Sequence, residues 1–211
     1  MRMPLSLTLF VFVLPVALRS IPSDAAVPVL DTAGHKVVAG GFYFILEVIH
    51  LNQKDVIGGG FDDFIENPYP NCRDYPDPLE ACCVGSVGKR ANESWLGIPA
   101  IFSQESPSNQ VTLSADINIT SHLGFYDVAG ACTSDHLWRF KYDEQSRHYH
   151  VISGYDCCGT PPGFGGKSWF RMEKSGRHYR LYGCYKACED CKAVCRGLGY
   201  RSIRGKKFLT F

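Results

Sequence analysis

The chain has 211 residues, 22 Lys plus Arg against 21 Asp plus Glu, and a formal net charge of +1. That balance supplies no overall field for nucleic acid, and 45% hydrophobic content is enough to build a core, which excludes a disordered chain. Ten cysteines point to an oxidising compartment, where thiols are consumed as disulfides.

Met1-Arg2-Met3 is a short basic start, and the fourteen residues from Leu5 to Leu18 are almost continuously apolar. The small, polar stretch from Arg19 to Ala26 completes the layout of a secretory signal peptide over residues 1–26. At about 1.5 Å per residue the apolar run is too short for a hydrocarbon core about 30 Å thick, so it is not read as a membrane anchor. The remainder, 27–211, has the size of one domain and is expected to be secreted, ending outside the cell or in a vacuole. Two sequons, Asn92-Glu93-Ser94 and Asn118-Ile119-Thr120, are candidate N-glycosylation sites on that route.

Along the mature part the periodicity is that of strands. Phe42 to Ile49 is rich in aromatic and β-branched residues behind Gly40-Gly41. Gly58-Gly59-Gly60 reads as a loop, and it lacks the following Lys-Ser/Thr of a phosphate-binding loop. Acidic residues dominate from Asp55 to Glu80, seven against the single Arg73. Val111 to Ser114 and Ile117 to Thr120 alternate as strands do. Trp138-Arg139-Phe140 leads over a polar turn to His148-Tyr149-His150-Val151, and about thirty residues on Trp169 to Met172 leads over Lys174-Ser175-Gly176 to Tyr179-Arg180-Leu181. The echo of strand, polar turn and strand implies an internally symmetric all-β fold, with Leu46-Glu47-Val48 as its counterpart earlier in the chain. Only the stretch from Cys184 to Cys195 offers a turn or short helix. The basic end, twelve Lys or Arg against three acids from Lys167 to Phe211, is interleaved with aromatic and aliphatic residues and reads as solvated strand faces.

Reactive chemistry is sparse. Cys184, Cys188, Cys191 and Cys195 have a spacing that holds zinc in a reducing compartment, but disulfides are expected after a signal peptide. His148 and His150 fall on one strand face and, with His178, read as surface histidines. There is no nucleophile elbow and no zincin pair, so neither an enzyme nor a cofactor or metal is expected.

Val29-Leu30-Asp31-Thr32-Ala33-Gly34-His35-Lys36-Val37, followed by Tyr43-Phe44-Ile45, resembles the opening signature of the Kunitz soybean-trypsin-inhibitor family and its miraculin-like members. Leu96 to Phe102, Asp116 to Ile119, Cys132 with Trp138, Ser168 to Glu173 and Tyr179 to Cys184 resemble further family segments in the same order. The resemblance implies a disulfide-bonded β-trefoil of twelve strands with pseudo-three-fold symmetry, acting as a monomer. It implies tight blocking of a serine protease by one exposed loop that enters the cleft as a substrate does. Here that loop comprises Glu105, Ser106, Pro107, Ser108, Asn109 and Gln110, and the contacted bond is Pro107–Ser108 or Ser108–Asn109. Family trypsin inhibitors carry Lys or Arg before that bond; this loop has neither, which points to a protease other than trypsin. Ala33 and the segments containing the vicinal pairs Cys82-Cys83 and Cys157-Cys158 depart from the family pattern. The alternative is a miraculin-like protein that serves storage, defence or ligand binding without inhibiting.

The resemblance also implies the pairs Cys184–Cys195 and Cys188–Cys191, nested, and Cys72–Cys132. Cys82, Cys83, Cys157 and Cys158 are then expected to tie an inserted segment, 73–88, to the 155–166 loop, since adjacent cysteines do not readily bridge each other. A pairing in which Cys82 or Cys83 takes Cys132 stays open.

Overall fold

A computed structural model describes residues 26–51, 54–65, 85–89, 95–104, 109–122, 135–144, 146–154, 167–186, 188, 190–203 and 206–211. Its thirteen strands are β1 (Phe42–Tyr43), β2 (Leu46–Leu51), β3 (Lys54–Ile65), β4 (Gly85–Lys89), β5 (Ala100–Gln104), β6 (Ile117–His122), β7 (Asp135–Asp143), β8 (His148–Ser153), β9 (Lys167–Ser175), β10 (His178–Lys186), β11 (Val194–Gly197), β12 (Gly199–Ile203) and β13 (Lys206–Thr210). No helix occurs among the described residues. The run expected as one strand from Phe42 is divided: β1 pairs with β5 and β2 with β3, so thirteen strands stand among the described residues, roughly the twelve expected.

Every pairing among the described residues is antiparallel, and three hairpins reproduce the sequence echo. In β9–β10, Ser175 opposes His178 across Gly176-Arg177. Gly176 has φ +61°, and a glycine in the first central position is what a two-residue type II′ turn requires. In β7–β8, Asp143 opposes His148, and Arg147 closes the four-residue loop in the left-handed region at φ 56°. The third is β2–β3, where Leu51 opposes Lys54. Strands β4, β8 and β13 each pair with both of the others, a junction that needs a curved sheet.

Alternation then sends one face of each strand inward. Ile117 and Ile119 of β6, Trp138 and Phe140 of β7, Val151 of β8 and Phe170 of β9 meet in a single core. Trp138 is its hub, 5.7 Å from the Phe61 ring and 5.9 Å from Phe170, with its indole Nε1 donating to Ser121 Oγ at 2.7 Å. That bond satisfies the one polar atom the residue brings into the core.

Three local expectations give way to long-range packing. Gly58-Gly59-Gly60 is not a loop; it lies inside β3 and is buried. A Cβ on Gly60 would stand 1.8 Å from the Leu96 carbonyl oxygen, and one on Gly58 would stand 2.9 Å from Lys89 Nζ. Glycine is used here for close approach. Gly60→Ala therefore displaces the 95–98 backbone, and its melting temperature should fall well below that of a Gly199→Ala control, where a Cβ meets nothing within 4 Å and the backbone is not in the left-handed region. Likewise, Val111 to Ser114 is not a strand. Thr112 makes an isolated bridge to Pro28, and Leu113-Ser114 is a turn with Ser114 at φ 59°. The segment 73–88, expected as an inserted loop, ends in strand: β4 begins at Gly85 and pairs with β3, β8 and β13.

Candidate functional site

β5 and β6 run side by side from Ala100↔Ser121 to Gln104↔Ile117, and the connection between them holds the expected inhibitory segment. Glu105, Ser106, Pro107 and Ser108 lie outside the described residues; Asn109 and Gln110 are described, with both arms of the segment. At the neck, the Thr112 backbone N–H donates to Gln104 Oε1 at 3.0 Å, and Gln104 Nε2 donates to Thr112 Oγ1 at 3.2 Å.

A second element clamps both arms. The Val111 N–H donates to Val37 O at 2.9 Å, and the Ala39 N–H donates to Asn109 O at 2.9 Å. One residue on, the Gly40 N–H donates to Phe102 O at 2.9 Å, and Phe42 opposes Ile101. The chain changes partner through a turn in which the Gly41 N–H donates to Val38 O at 3.2 Å and Gly40 has φ +81°. That is the third position of a type II turn, where glycine avoids a Cβ clash. Tyr43 Oη accepts from the Val38 N–H at 2.8 Å and steadies the same turn. One strap, 37–43, thus ties residues 109–111 to residues 101–102.

Past the neck, the turn over 113–116 is fastened to β9. The Ser114 N–H donates to Met172 O at 3.0 Å, Ser114 Oγ to Glu173 Oε2 at 2.9 Å, and Arg171 Nε to Asp116 Oδ1 at 2.6 Å. A shallow cavity of about 340 Å³ opens there, lined by Gln104, Ser114, Ala115, Asp116 and Arg171. Its one cation is already paired, so the face beside the loop carries little net charge.

The remaining expected residues fall elsewhere. Cys184 and Cys195 are directly opposed on β10 and β11 and are joined by a disulfide, Cα atoms 4.1 Å apart. Cys188 and Cys191 form a second disulfide across a turn, so these four thiols are not zinc ligands. Cys72, Cys82, Cys83, Cys132, Cys157, Cys158 and Asn92 lie outside the described residues. Asn118 sits on the outward face of β6, half-buried, between the buried Ile117 and Ile119.

The histidines do not act as one surface group. His150 is buried, because its strand is covered by β13 at Thr210 and by the β7–β8 loop. Its Nε2 faces both Ser146 Oγ at 2.9 Å and Asp143 Oδ2 at 3.4 Å. A catalytic triad would put the carboxylate on Nδ1 and the hydroxyl on Nε2, so this trio has no such geometry. His178 instead shares Asp55 Oδ2 with Arg177, at 2.8 and 3.1 Å. Lys89, a basic residue, is buried and paired with Glu47 Oε2, so it is not presented to a protease.

The comparisons fit this geometry. Residues 29–211 match the Kunitz legume family model, described as trypsin and protease inhibitor. The chain is 27% identical to Kunitz trypsin inhibitor 5 of Arabidopsis thaliana, over 91% of this chain and 84% of that protein. It is 29% identical to miraculin of Synsepalum dulcificum, over 92% of this chain and 82% of miraculin. Among solved structures, a Kunitz type trypsin inhibitor from Cicer arietinum superposes with a TM-score of 0.60 at 22% identity, covering 87% of this chain and 91% of that one. Its fold, and the fold here, is the β-trefoil. With the family model spanning all but the first 28 residues, the chain belongs to the Kunitz family of trypsin and protease inhibitors, whose members are inhibitors and related non-enzymatic proteins.

Proposed function

We propose that the protein is a secreted, monomeric Kunitz-type inhibitor of a serine protease other than trypsin, acting through Glu105 to Gln110. The observation that carries this reading is the double clamp at the base of the loop. A segment held at Gln104, Asn109 and Val111 loses little further entropy when it enters a protease cleft, and such pre-organisation favours tight binding. The direction of specificity comes from the loop's composition. Between Phe102 and Val111 the only charged residue is Glu105, so trypsin's pocket would bury its own carboxylate without a cation. A small residue before the contacted bond suits a shallower, elastase-like pocket.

Titration of a panel containing trypsin, chymotrypsin, elastase and subtilisin tests this. The expected result is no trypsin inhibition at micromolar concentration and stoichiometric inhibition of one of the others, lost on replacing 105–110 by a Gly-Ser linker of equal length. Silence against the whole panel favours the second reading, a non-inhibitory protein for storage, defence or ligand binding. The likeness to miraculin and the missing basic residue support that alternative.

A further inference from the structure

Sequence reading missed one group altogether. Asp63 of β3 projects into the barrel, with 7% of its surface exposed, and neither carboxyl oxygen has a hydrogen-bond partner in bonding geometry. Around it stand Ser121 of β6, which accepts from the Trp138 indole at 2.7 Å, and Ser153 of β8, which is completely buried. Gly85 of β4 makes room for them: a Cβ there would lie 2.9 Å from Ser153 Oγ and 3.4 Å from Asp63 Cβ.

Among the described residues no cation answers this carboxyl. Asp62 on its own strand acts on it as a like charge. β4 contributes Val87 opposite it, and the buried cation of that strand, Lys89, is paired with Glu47. From β7 come Trp138 and His136, the latter buried opposite Ser121, and β6 and β8 contribute the two hydroxyls. An isolated carboxylate in such surroundings is costly, whereas a neutral acid can share protons with two hydroxyls.

We propose that Asp63, Ser121 and Ser153 form a buried acid site that holds a proton in the folded protein, so that the barrel is firmest in acidic surroundings and loosens when the proton is lost. Burial, the largest cause, pushes the carboxyl up to about 7, against some pull from the two hydroxyls and with help from Asp62. An unfolded Asp releases its proton near pH 4, so between about pH 4 and 7 the folded state binds the extra proton and stability falls as pH rises. Above about pH 7 both states are ionised and the loss is complete. The site adjoins the strand pair that carries the loop, since Ser121 opposes Ala100 of β5, but it does not depend on the inhibitory reading.

Thermal unfolding of the oxidised, full mature protein tests this at pH 5, 6, 7 and 8 and constant ionic strength, with Asp63→Asn beside the wild type. The wild type should lose roughly 5–10 °C between pH 5 and 8. The variant should show a flatter profile and melt above the wild type at pH 8; the other histidines and acids titrate alike in both proteins. Parallel profiles would overturn the proposal. So would stabilisation by added sodium or calcium that disappears in the variant, since the occupant would then be a cation. If Asp63→Asn does not fold, infrared spectroscopy of the wild type decides. A protonated-carboxyl carbonyl band at pH 6 that is gone at pH 9 supports the site, and its absence at pH 6 defeats it.

Discussion

Arginine introduced at position 107 or 108 is expected to turn the protein into a trypsin inhibitor. If, as proposed, the contacted bond is Pro107–Ser108 or Ser108–Asn109, Pro107→Arg and Ser108→Arg each place a guanidinium at one of the two positions that would fill the pocket. In the wild type the pocket's carboxylate would be dehydrated against an uncharged side chain. Supplying its partner restores a buried, charge-assisted pair, and truncating such pairs typically costs about 2–5 kcal/mol. One of the two variants should therefore bind trypsin roughly 30- to 5,000-fold more tightly than the wild type. The clamp adds a second readout. With the segment tied to the strap on one arm and to Gln104 on the other, the variant should resist cleavage while inhibiting; a loose loop would be cut as a substrate. Two well-folded variants that neither inhibit nor bind trypsin would show that 105–110 is not presented as a substrate-like loop.

The second large effect is expected at Lys89. Its side chain is 3% exposed and its ammonium contacts Glu47 Oε2, the carboxylate side chain being 22% exposed. The pair links β4 to β2 across β3, over the space that Gly58 leaves open. Removing the cation leaves a carboxylate with its Coulombic partner gone and water largely kept out. For buried pairs such a change costs about 3–5 kcal/mol, and the partial exposure of Glu47 puts the expectation for Lys89→Met near the lower limit, about 3 kcal/mol. In a protein of this size that lowers the melting temperature by roughly 6–12 °C. Glu47→Gln combined with Lys89→Met should recover much of the loss, because the uncompensated charge has gone. A single variant that melts within a degree of the wild type would mean the pair is solvated. Any protease inhibition should persist in either variant below its melting temperature, since the Lys89 side chain is turned inward.

Family membership was legible because its carriers are local: motifs whose order and spacing survive without knowledge of any contact. The all-β class was legible for the same reason. Alternation in Ile117 to Thr120 and in the two echoed hairpins specifies which side chains share a face, and a glycine such as Gly176 marks its turn within four residues. The lack of Lys or Arg between Phe102 and Val111 is likewise a plain reading of residues. At the candidate site, then, the sequence names the expected segment, 105–110, and its composition, but not what holds its two arms. The strap over 37–43 meets partners about sixty to seventy residues away, and nothing in either stretch names the other.

Tertiary packing decided the rest, and in each case local rules pointed elsewhere. Three successive glycines read as a loop by conformational freedom, yet they form strand because Lys89 and the Leu96 carbonyl approach where a Cβ would sit. His150 reads as a surface residue, but β13 and the β7–β8 loop cover it, and Lys89, a cation on a short strand, is buried where Glu47 of β2 reaches it across β3. Asp63 follows Asp62 in an acidic stretch and reads as one more solvated acid. Its burial depends on where β4, β6, β7 and β8 close around it, and that closure is a property of the barrel, not of any segment of it.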